Sequence, residues 1–191
     1  KLKTIAGNIG TTAVRLKTLD VDTLSTFSGA VYADSITIDA VNGATFSSDV
    51  AGTTMAVATA NGDVIFKGDA TVAISTTETS NVITYSGTSD QTQTGAITSA
   101  DDGDGTVNNA NTGGTVTFAS AVAADADRLK EFDSDASSKT IFSGEMHADL
   151  VTLDGTVTLT QDENDTVDIN FGASSKMIIA KTVTNTQNVL D

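Results

Sequence analysis

Aspartate is the residue type in this chain that offers most for chemistry. The run Asp101-Asp102-Gly103-Asp104-Gly105 places three carboxylates close together between glycines. Asp20 with Asp22, and Asp133 with Asp135, are i, i+2 pairs that share one face of a strand. Clustered carboxylates favour either full solvation or a shared hard cation such as Ca²⁺. The candidate Ca²⁺ ligands are therefore Asp101, Asp102, Asp104, Asp20, Asp22, Asp133 and Asp135.

Each of these clusters also has an interpretation without a metal. The 101–105 segment matches a calcium loop only in part, since the distal bidentate Glu of an EF-hand is missing, and a solvated acidic loop is the alternative. Ca²⁺ is the one cofactor that the sequence suggests.

Residues for other catalysis are scarce. The chain has no Cys, which excludes thiol and zinc-thiolate chemistry, and a single His, His147. His147 lies near Asp149, but no Ser stands in a nucleophile motif, so a surface strand residue is the expected role. We therefore predict a protein that is not an enzyme. A polysaccharide-active β-helix enzyme with paired carboxylates is the least favoured alternative, because 5% aromatic residues and no Trp leave little for sugar stacking.

Composition narrows the partners further. The 191 residues carry 10 Lys and Arg against 25 Asp and Glu, a net charge of −15, which argues against nucleic acid and anionic membranes. No apolar run approaches the roughly 20 residues that a membrane helix needs, so no membrane span is expected. Thr, Ser and Asp dominate the polar residues and Glu is rare, a composition of strands and turns.

A short repeat runs along the chain. Its aromatic positions are Phe27, Phe46, Phe66 and Tyr85, spaced 19, 20 and 19 residues apart, and the motif returns at Phe118 and Phe142. Alternating runs such as Ser35-Ile36-Thr37-Ile38 lie between them and read as half-buried strands. A fixed period near 20 is the mark of a repeat architecture.

This period predicts an all-β fold, a β-solenoid of about 20-residue coils in which the four aromatic positions stack as an internal ladder. An antiparallel β-sandwich or jelly roll is the alternative, because short strands with turns also suit it. We expect one β-repeat domain over residues 1–191. Residues 88–114, rich in Thr, Asn, Gly and Asp, are predicted to form an irregular loop or excursion.

A longer repeat overlies the short one. Residues 4–20 match 117–133 at an offset of 113, and both segments contain Arg-Leu-Lys, at Arg15 and at Arg128. After a two-residue insertion the match continues at an offset of 115, where Ile36-Thr37-Ile38-Asp39 corresponds to Val151-Thr152-Leu153-Asp154.

The motifs Thr-Phe-Ser-Gly-Ala-Val at 26–31, Ser-Ile-Thr-Ile-Asp at 35–39 and the segment 7–19 resemble the β-strand repeats of large bacterial surface proteins. These are long adhesins and S-layer-like proteins in the style of filamentous haemagglutinin. The resemblance covers most of the chain except 88–114. It implies an extracellular or cell-surface protein with a structural or adhesive role, and it carries no catalytic residues.

The two ends favour self-association. Leu2–Ala6 and Met177–Val183 both read as strands, and neither end shows a capping helix. Uncapped ends favour homopolymers through head-to-tail or strand-edge contacts. The sequence thus predicts a structural subunit of an extracellular self-assembling fibre, surface layer or biofilm matrix. The alternative is an adhesin or phage-fibre segment that binds cell-surface glycans through 88–114.

Overall fold

Parallel β-structure accounts for the described part of the chain. The computed structural model describes residues 1–159, 169–179 and 183–185, and these contain strands and turns without a helix. The strands wind into a β-solenoid of about eight turns with coils of about 19 residues. The predicted solenoid is confirmed. The alternative of an antiparallel sandwich or jelly roll is wrong, because the strands of both sheets pair in parallel.

Two sheets run along the solenoid, with strands numbered in chain order. The first sheet contains, in spatial order, β1 (Lys3–Ile5), β3 (Ser25–Phe27), β5 (Ala44–Phe46), β7 (Asp63–Phe66), β9 (Val82–Tyr85), β12 (Thr106–Asn109), β14 (Leu129–Ser134), β16 (Met146–Leu153) and β18 (Ile169–Ile179). The second contains β2 (Leu16–Val21), β4 (Val31–Ile38), β6 (Val50–Val57), β8 (Ala70–Thr76), β10 (Gln91–Gln93), β13 (Thr115–Phe118), β15 (Lys139–Phe142), β17 (Thr156–Leu159) and β19 (Val183–Asn185), with β11 (Ile97–Ser99) beside β8.

Alternation of apolar and polar residues places one side of each strand in the core. In β4, Val31, Ala33, Ile36 and Ile38 are buried while the residues between them reach the surface. Tight corners connect the strands, as at Asn42-Gly43, where both residues have positive φ. A Cβ on Gly43 would lie 1.5 Å from the carbonyl oxygen of Asp63 in the next coil, so no larger residue fits there.

The predicted aromatic ladder is present. The rings of Phe27, Phe46, Phe66 and Tyr85 stack with centroid separations of 4.9, 5.6 and 5.5 Å and interplanar angles of 9°, 16° and 27°. Each ring sits in register over the next, because β3, β5, β7 and β9 pair without a shift at these positions. The spacing of the aromatic residues thus matches one turn of the solenoid.

The aromatic column changes place after Tyr85. In the following strands of the first sheet, the residues paired in register with Tyr85 are Asn109, Ser134 and Leu153, none of which is aromatic. The next ring, Phe118, lies instead in the neighbouring column above Gln93, and it meets Tyr85 edge-on at 5.2 Å and 84°. Stacking then resumes between Phe118 and Phe142 at 5.2 Å and 16°.

Residues 88–114, for which an irregular loop or excursion is predicted, contain three short paired strands. The strands β10, β11 and β12 lie in this segment and pair with their neighbours above or below. In this segment polar side chains occupy core positions that apolar side chains occupy in other coils. Gln91 and Gln93 are buried, and their amide nitrogens donate to the carbonyl oxygens of Phe66 (3.1 Å) and Val72 (2.8 Å). The buried polar residues of these strands are therefore paired inside the solenoid, while 88–90, 94–96, 100–105 and 110–114 form turns and irregular connections.

The long repeat has a structural counterpart. In the first copy Leu16 pairs with Ala33, and at the offsets of 113 and 115 Leu129 pairs with Ala148. Four further pairs correspond in the same way: Ile5 with Phe27 and Phe118 with Phe142; Ile9 with Val31 and Val122 with Met146; Leu19 with Ile36 and Phe132 with Val151; Val21 with Ile38 and Ser134 with Leu153. The chain therefore builds the same two-coil unit twice.

The segments predicted as terminal strands are strands where the structure describes them. The strand β1 lies within Leu2–Ala6, and residues 177–179 belong to β18, while residues 180–182 lie outside the described part. Among the described strands, β1, β2, β18 and β19 each have a neighbour on one side only in their sheets.

Candidate metal centre

Three carboxylates meet at the end of the first two coils. Asp20 and Asp22 flank Val21 at the end of β2, and Asp39 directly follows β4. The register Val21 to Ile38, together with a 3.1 Å hydrogen bond from the amide of Asp39 to the carbonyl of Val21, brings the three residues side by side. One oxygen of each carboxylate lies within 4.8 Å of the others, and all three residues are exposed.

This geometry suits a hard cation. Three like charges at this separation repel one another, and a divalent ion bound by carboxylate oxygens would remove that repulsion. Ca²⁺ takes six to eight oxygen ligands in flexible geometry, so water would have to complete the coordination. The triad could therefore hold Ca²⁺ at a surface-accessible position.

The long repeat places a second acidic group at the equivalent position. Asp133, Asp135 and Asp154 correspond to Asp20, Asp22 and Asp39, and the amide of Asp154 again bonds back to the preceding coil, at the carbonyl of Ser134 (2.8 Å). Their ligand atoms do not converge as the first three do: in the part of the chain that the structure describes, Asp20, Asp22 and Asp39 form the one group of three within 4.8 Å.

The electrostatics of Asp133 reflect this crowding. Partial burial raises the pKa of its carboxyl, and the charges of Asp135, Glu131 and Asp154 raise it further, against a backbone hydrogen bond at Ser134 that lowers it. The surroundings of Asp133 in the folded chain therefore disfavour its ionised form.

The predicted cluster at 101–104 is not brought together as a ligand set. Asp104 is buried, and its carbonyl oxygen accepts hydrogen bonds from the hydroxyls of Ser99 (3.0 Å) and Thr76 (3.4 Å). Asp102 is exposed and its Oδ1 accepts from the amide of Arg128 in the next coil at 3.2 Å. These residues build the corner between β11 and β12.

Asp39 is the residue of the triad that the sequence alone does not single out. Its signal lies in the long repeat, in which Asp39 and Asp154 close corresponding segments four residues long. Asp39 can be recognised as a ligand only from the register of β2 against β4, because that register brings Asp39 beside Asp22 although 17 positions separate them in the sequence.

Other acidic and amide side chains tie consecutive coils together at one corner. Each Oδ1 accepts a backbone N–H from the following coil: Asn8 from Ala30 (2.9 Å), Asp49 from Asp69 (3.0 Å), Asp69 from Thr92 (2.7 Å) and Asp90 from Thr115 (2.9 Å). Part of the negative charge of the chain thus serves the fold rather than a ligand.

His147 is buried rather than at the surface as predicted. Its Nε2 lies 3.2 Å from Oε2 of Glu145, and it occupies the position in the second repeat that Tyr32 holds in the first. Both residues donate their backbone amide to the preceding coil, at Val122 (2.9 Å) and Ile9 (2.8 Å) respectively. His147 therefore belongs to the framework of the repeat.

The fold and the acidic triad define a parallel β-solenoid with a surface carboxylate cluster. Comparison of the chain with protein-family models, with curated proteins and with solved structures found no match. Among the described residues no helix has the length and apolarity to cross a bilayer.

Proposed function

We propose that this chain is a structural subunit of an extracellular fibre, surface layer or biofilm matrix that assembles from copies of itself. The observation that carries the proposal is the pair of parallel sheets that run from β1 and β2 to β18 and β19. At these four strands the described sheets present edges of the same kind as those already paired inside. A parallel edge accepts a further parallel strand, and head-to-tail contacts of this type produce filaments.

Exposed apolar side chains support the proposal. The large apolar residues exposed in the described part are Leu2, Val14, Leu16 and Val41. Three of them lie in the first coil, beside the edges of β1 and β2. Apolar surface gathered in one region marks an interaction site more often than single scattered residues do.

Calcium has a defined place in this proposal. A net charge of −15 makes copies of the chain repel one another, and the triad of Asp20, Asp22 and Asp39 is exposed. Ca²⁺ bound there would lower the local negative charge beside the first coil and so favour association.

Negative-stain electron microscopy of the purified chain, with EDTA and with millimolar Ca²⁺, tests the function. Filaments or sheets, more abundant with Ca²⁺, are the expected result. The matched control is millimolar Mg²⁺, which demands stricter octahedral geometry and should promote assembly less. Discrete single particles in every condition at high protein concentration would contradict the proposal.

The other roles predicted from the sequence rest on no separate observation in the described residues. Glycan binding by an adhesin or phage-fibre segment was assigned to a loop at 88–114, and that segment contributes three short strands to the sheets. Both this role and the polysaccharide-active enzyme stay predictions.

A further inference from the structure

We infer that the first coil, residues 2–21, is the surface on which a second copy of this chain docks, by laying a parallel coil over β1 and β2. This inference rests on the proposed self-assembly and names the surface and geometry of the contact. Its strongest support is that the same surface occurs twice in the chain, once exposed and once covered.

In the second repeat, the coil equivalent to residues 2–21 is covered by another coil, and that contact shows the geometry a docked coil would adopt. In the second repeat, Phe118 lies over Gln93, Val122 over Ile97 and Phe132 over Val107. In the covering coil, β10 and β12 run parallel to β13 and β14, and β11 meets the next coil through a parallel bridge between Ile97 and Val122. The equivalent positions in the first coil are Ile5, Ile9 and Leu19.

Equivalent residues are more exposed in the first coil, which no coil in the described part of the chain covers, than in the second repeat, where a coil lies over them. Leu16 is 41% exposed, whereas its counterpart Leu129 is 0% exposed. Ile5, Ile9 and Leu19 are only partly buried, whereas Phe118, Val122 and Phe132 are fully buried. A cavity of about 230 Å³ opens at the first coil. Its lining is half apolar, from Ile5, Ile9, Leu19, Val21 and Phe27, and half polar, from Lys3, Asp20, Asp22, Thr23 and Ser25. A covering coil would fill this cavity and remove its apolar lining from water.

Backbone hydrogen bonds specify the same geometry. In the covered copy the amide of Ala123 donates to the carbonyl of Ile97 (2.7 Å), and the amide of Ile97 donates to the carbonyl of Ala121 (3.1 Å). The groups equivalent to those of Ala123 and Ala121 are the amide of Gly10 and the carbonyl of Asn8. A docked strand would make this pair of bonds in parallel register.

Charge identifies the occupant as another copy of this acidic chain. Residues 1–17 contain Lys1, Lys3, Arg15 and Lys17 and no acidic residue, whereas the remaining residues hold 25 acids and 6 bases. The four bases thus form a basic rim beside a cavity that Asp20 and Asp22 also line, on a molecule that is otherwise strongly negative. Such complementarity steers association between copies and weakens as salt is added.

Sedimentation velocity of the full chain across a wide concentration range, in low and high salt, tests the inference. The variant is Leu16→Asp, which places a charge on the docking surface at a position already exposed. The matched control is Val41→Asp, since Val41 is 57% exposed at a corner outside the first coil. We expect association of the wild type and of Val41→Asp, and association at least roughly tenfold weaker for Leu16→Asp.

A second pair of variants keeps the test independent of any folding defect at Leu16. Arg15→Glu reverses a charge on the rim, and Lys67→Glu makes the same change at an exposed corner elsewhere. Only Arg15→Glu should weaken association and flatten its salt dependence. If the wild type assembles and Leu16→Asp and Arg15→Glu assemble equally well, the first coil is not the docking surface although self-assembly stands. A wild type that stays monomeric in every condition overturns both proposals.

Discussion

The hydroxyl of Tyr85 donates a 2.8 Å hydrogen bond to Oε1 of Gln93 inside the core, at the point where the aromatic column changes place. Both side chains are fully buried or nearly so. The amide nitrogen of Gln93 in turn donates to the carbonyls of Val72 (2.8 Å) and Gly95 (2.6 Å). Tyr85 therefore ends the ladder of stacked rings and begins the polar network that carries the core through residues 88–114.

Replacing Tyr85 with Phe should destabilise the solenoid although the ring remains. The change leaves Oε1 of Gln93 buried without its donor, which costs about 1–3 kcal/mol. Tyr32→Phe removes the hydroxyl of the other, less buried tyrosine and serves as the control. Chemical denaturation monitored by circular dichroism measures both. Equal midpoints for the two variants would show that the buried hydrogen bond contributes nothing.

Asp69 has a structural role, because its Oδ1 accepts a hydrogen bond from the backbone amide of Thr92 in the following coil. Asp69→Ala removes the acceptor for the amide of Thr92, and a loss of about 1 kcal/mol in the free energy of unfolding is expected. Asp69→Asn keeps an oxygen at the same place and should retain most of the stability. Asp101→Ala, at an exposed aspartate, controls for the removal of charge. If Asp69→Ala and Asp101→Ala have the same thermal midpoint, the bond between coils is not stabilising.

Because the pKa of Asp133 is raised, replacing its carboxyl with a neutral amide should increase the free energy of unfolding by an amount that depends on pH. The folded chain holds the Asp133 proton to higher pH than the unfolded chain does. The stability linked to this group is therefore greatest in acid, is lost as pH rises through the folded pKa, and is absent at neutral pH. Asp133→Asn should raise the unfolding free energy at pH 7 by less than about 1 kcal/mol, since solvent screens a partly exposed group.

The increase in unfolding free energy caused by Asp133→Asn should vanish in acid, because the wild-type carboxyl is then protonated in both the folded and the unfolded chain. Thermal unfolding at pH 7 and near pH 3, in EDTA to exclude bound cations, makes the comparison. Asp101→Asn is the control and should shift the midpoint little at pH 7. A stabilisation by Asp133→Asn that is as large in acid as at neutral pH would contradict the electrostatic explanation.

Calcium binding should depend on the triad rather than on the 101–104 corner. The double variant Asp22→Asn/Asp39→Asn removes two charges from the group of three within 4.8 Å and should weaken Ca²⁺ binding by at least roughly tenfold. Asp101→Asn/Asp102→Asn removes two charges from the other predicted cluster and should leave the affinity nearly unchanged. Isothermal titration calorimetry distinguishes the two. The reverse order of effects would place the ion at 101–104.

The repeat, the strands and the aromatic ladder could be predicted from the sequence because their causes are local and periodic. Phe27, Phe46, Phe66 and Tyr85 recur at one spacing, so stacking one coil on the next determines their neighbours. The long repeat likewise follows from matched residues, and its paired positions agree with the register of the strands.

Tertiary structure alone decided the course of residues 88–114 and the membership of the acidic triad. Gln91, Gln93 and Asn109 look like loop residues in sequence, but inside the core each of their side-chain amides donates to a partner in a neighbouring coil. Asp39 joins Asp20 and Asp22 because a register between two strands brings them together. A period fixes which residues repeat, whereas the pairing of a buried polar group depends on distant atoms that no local pattern records.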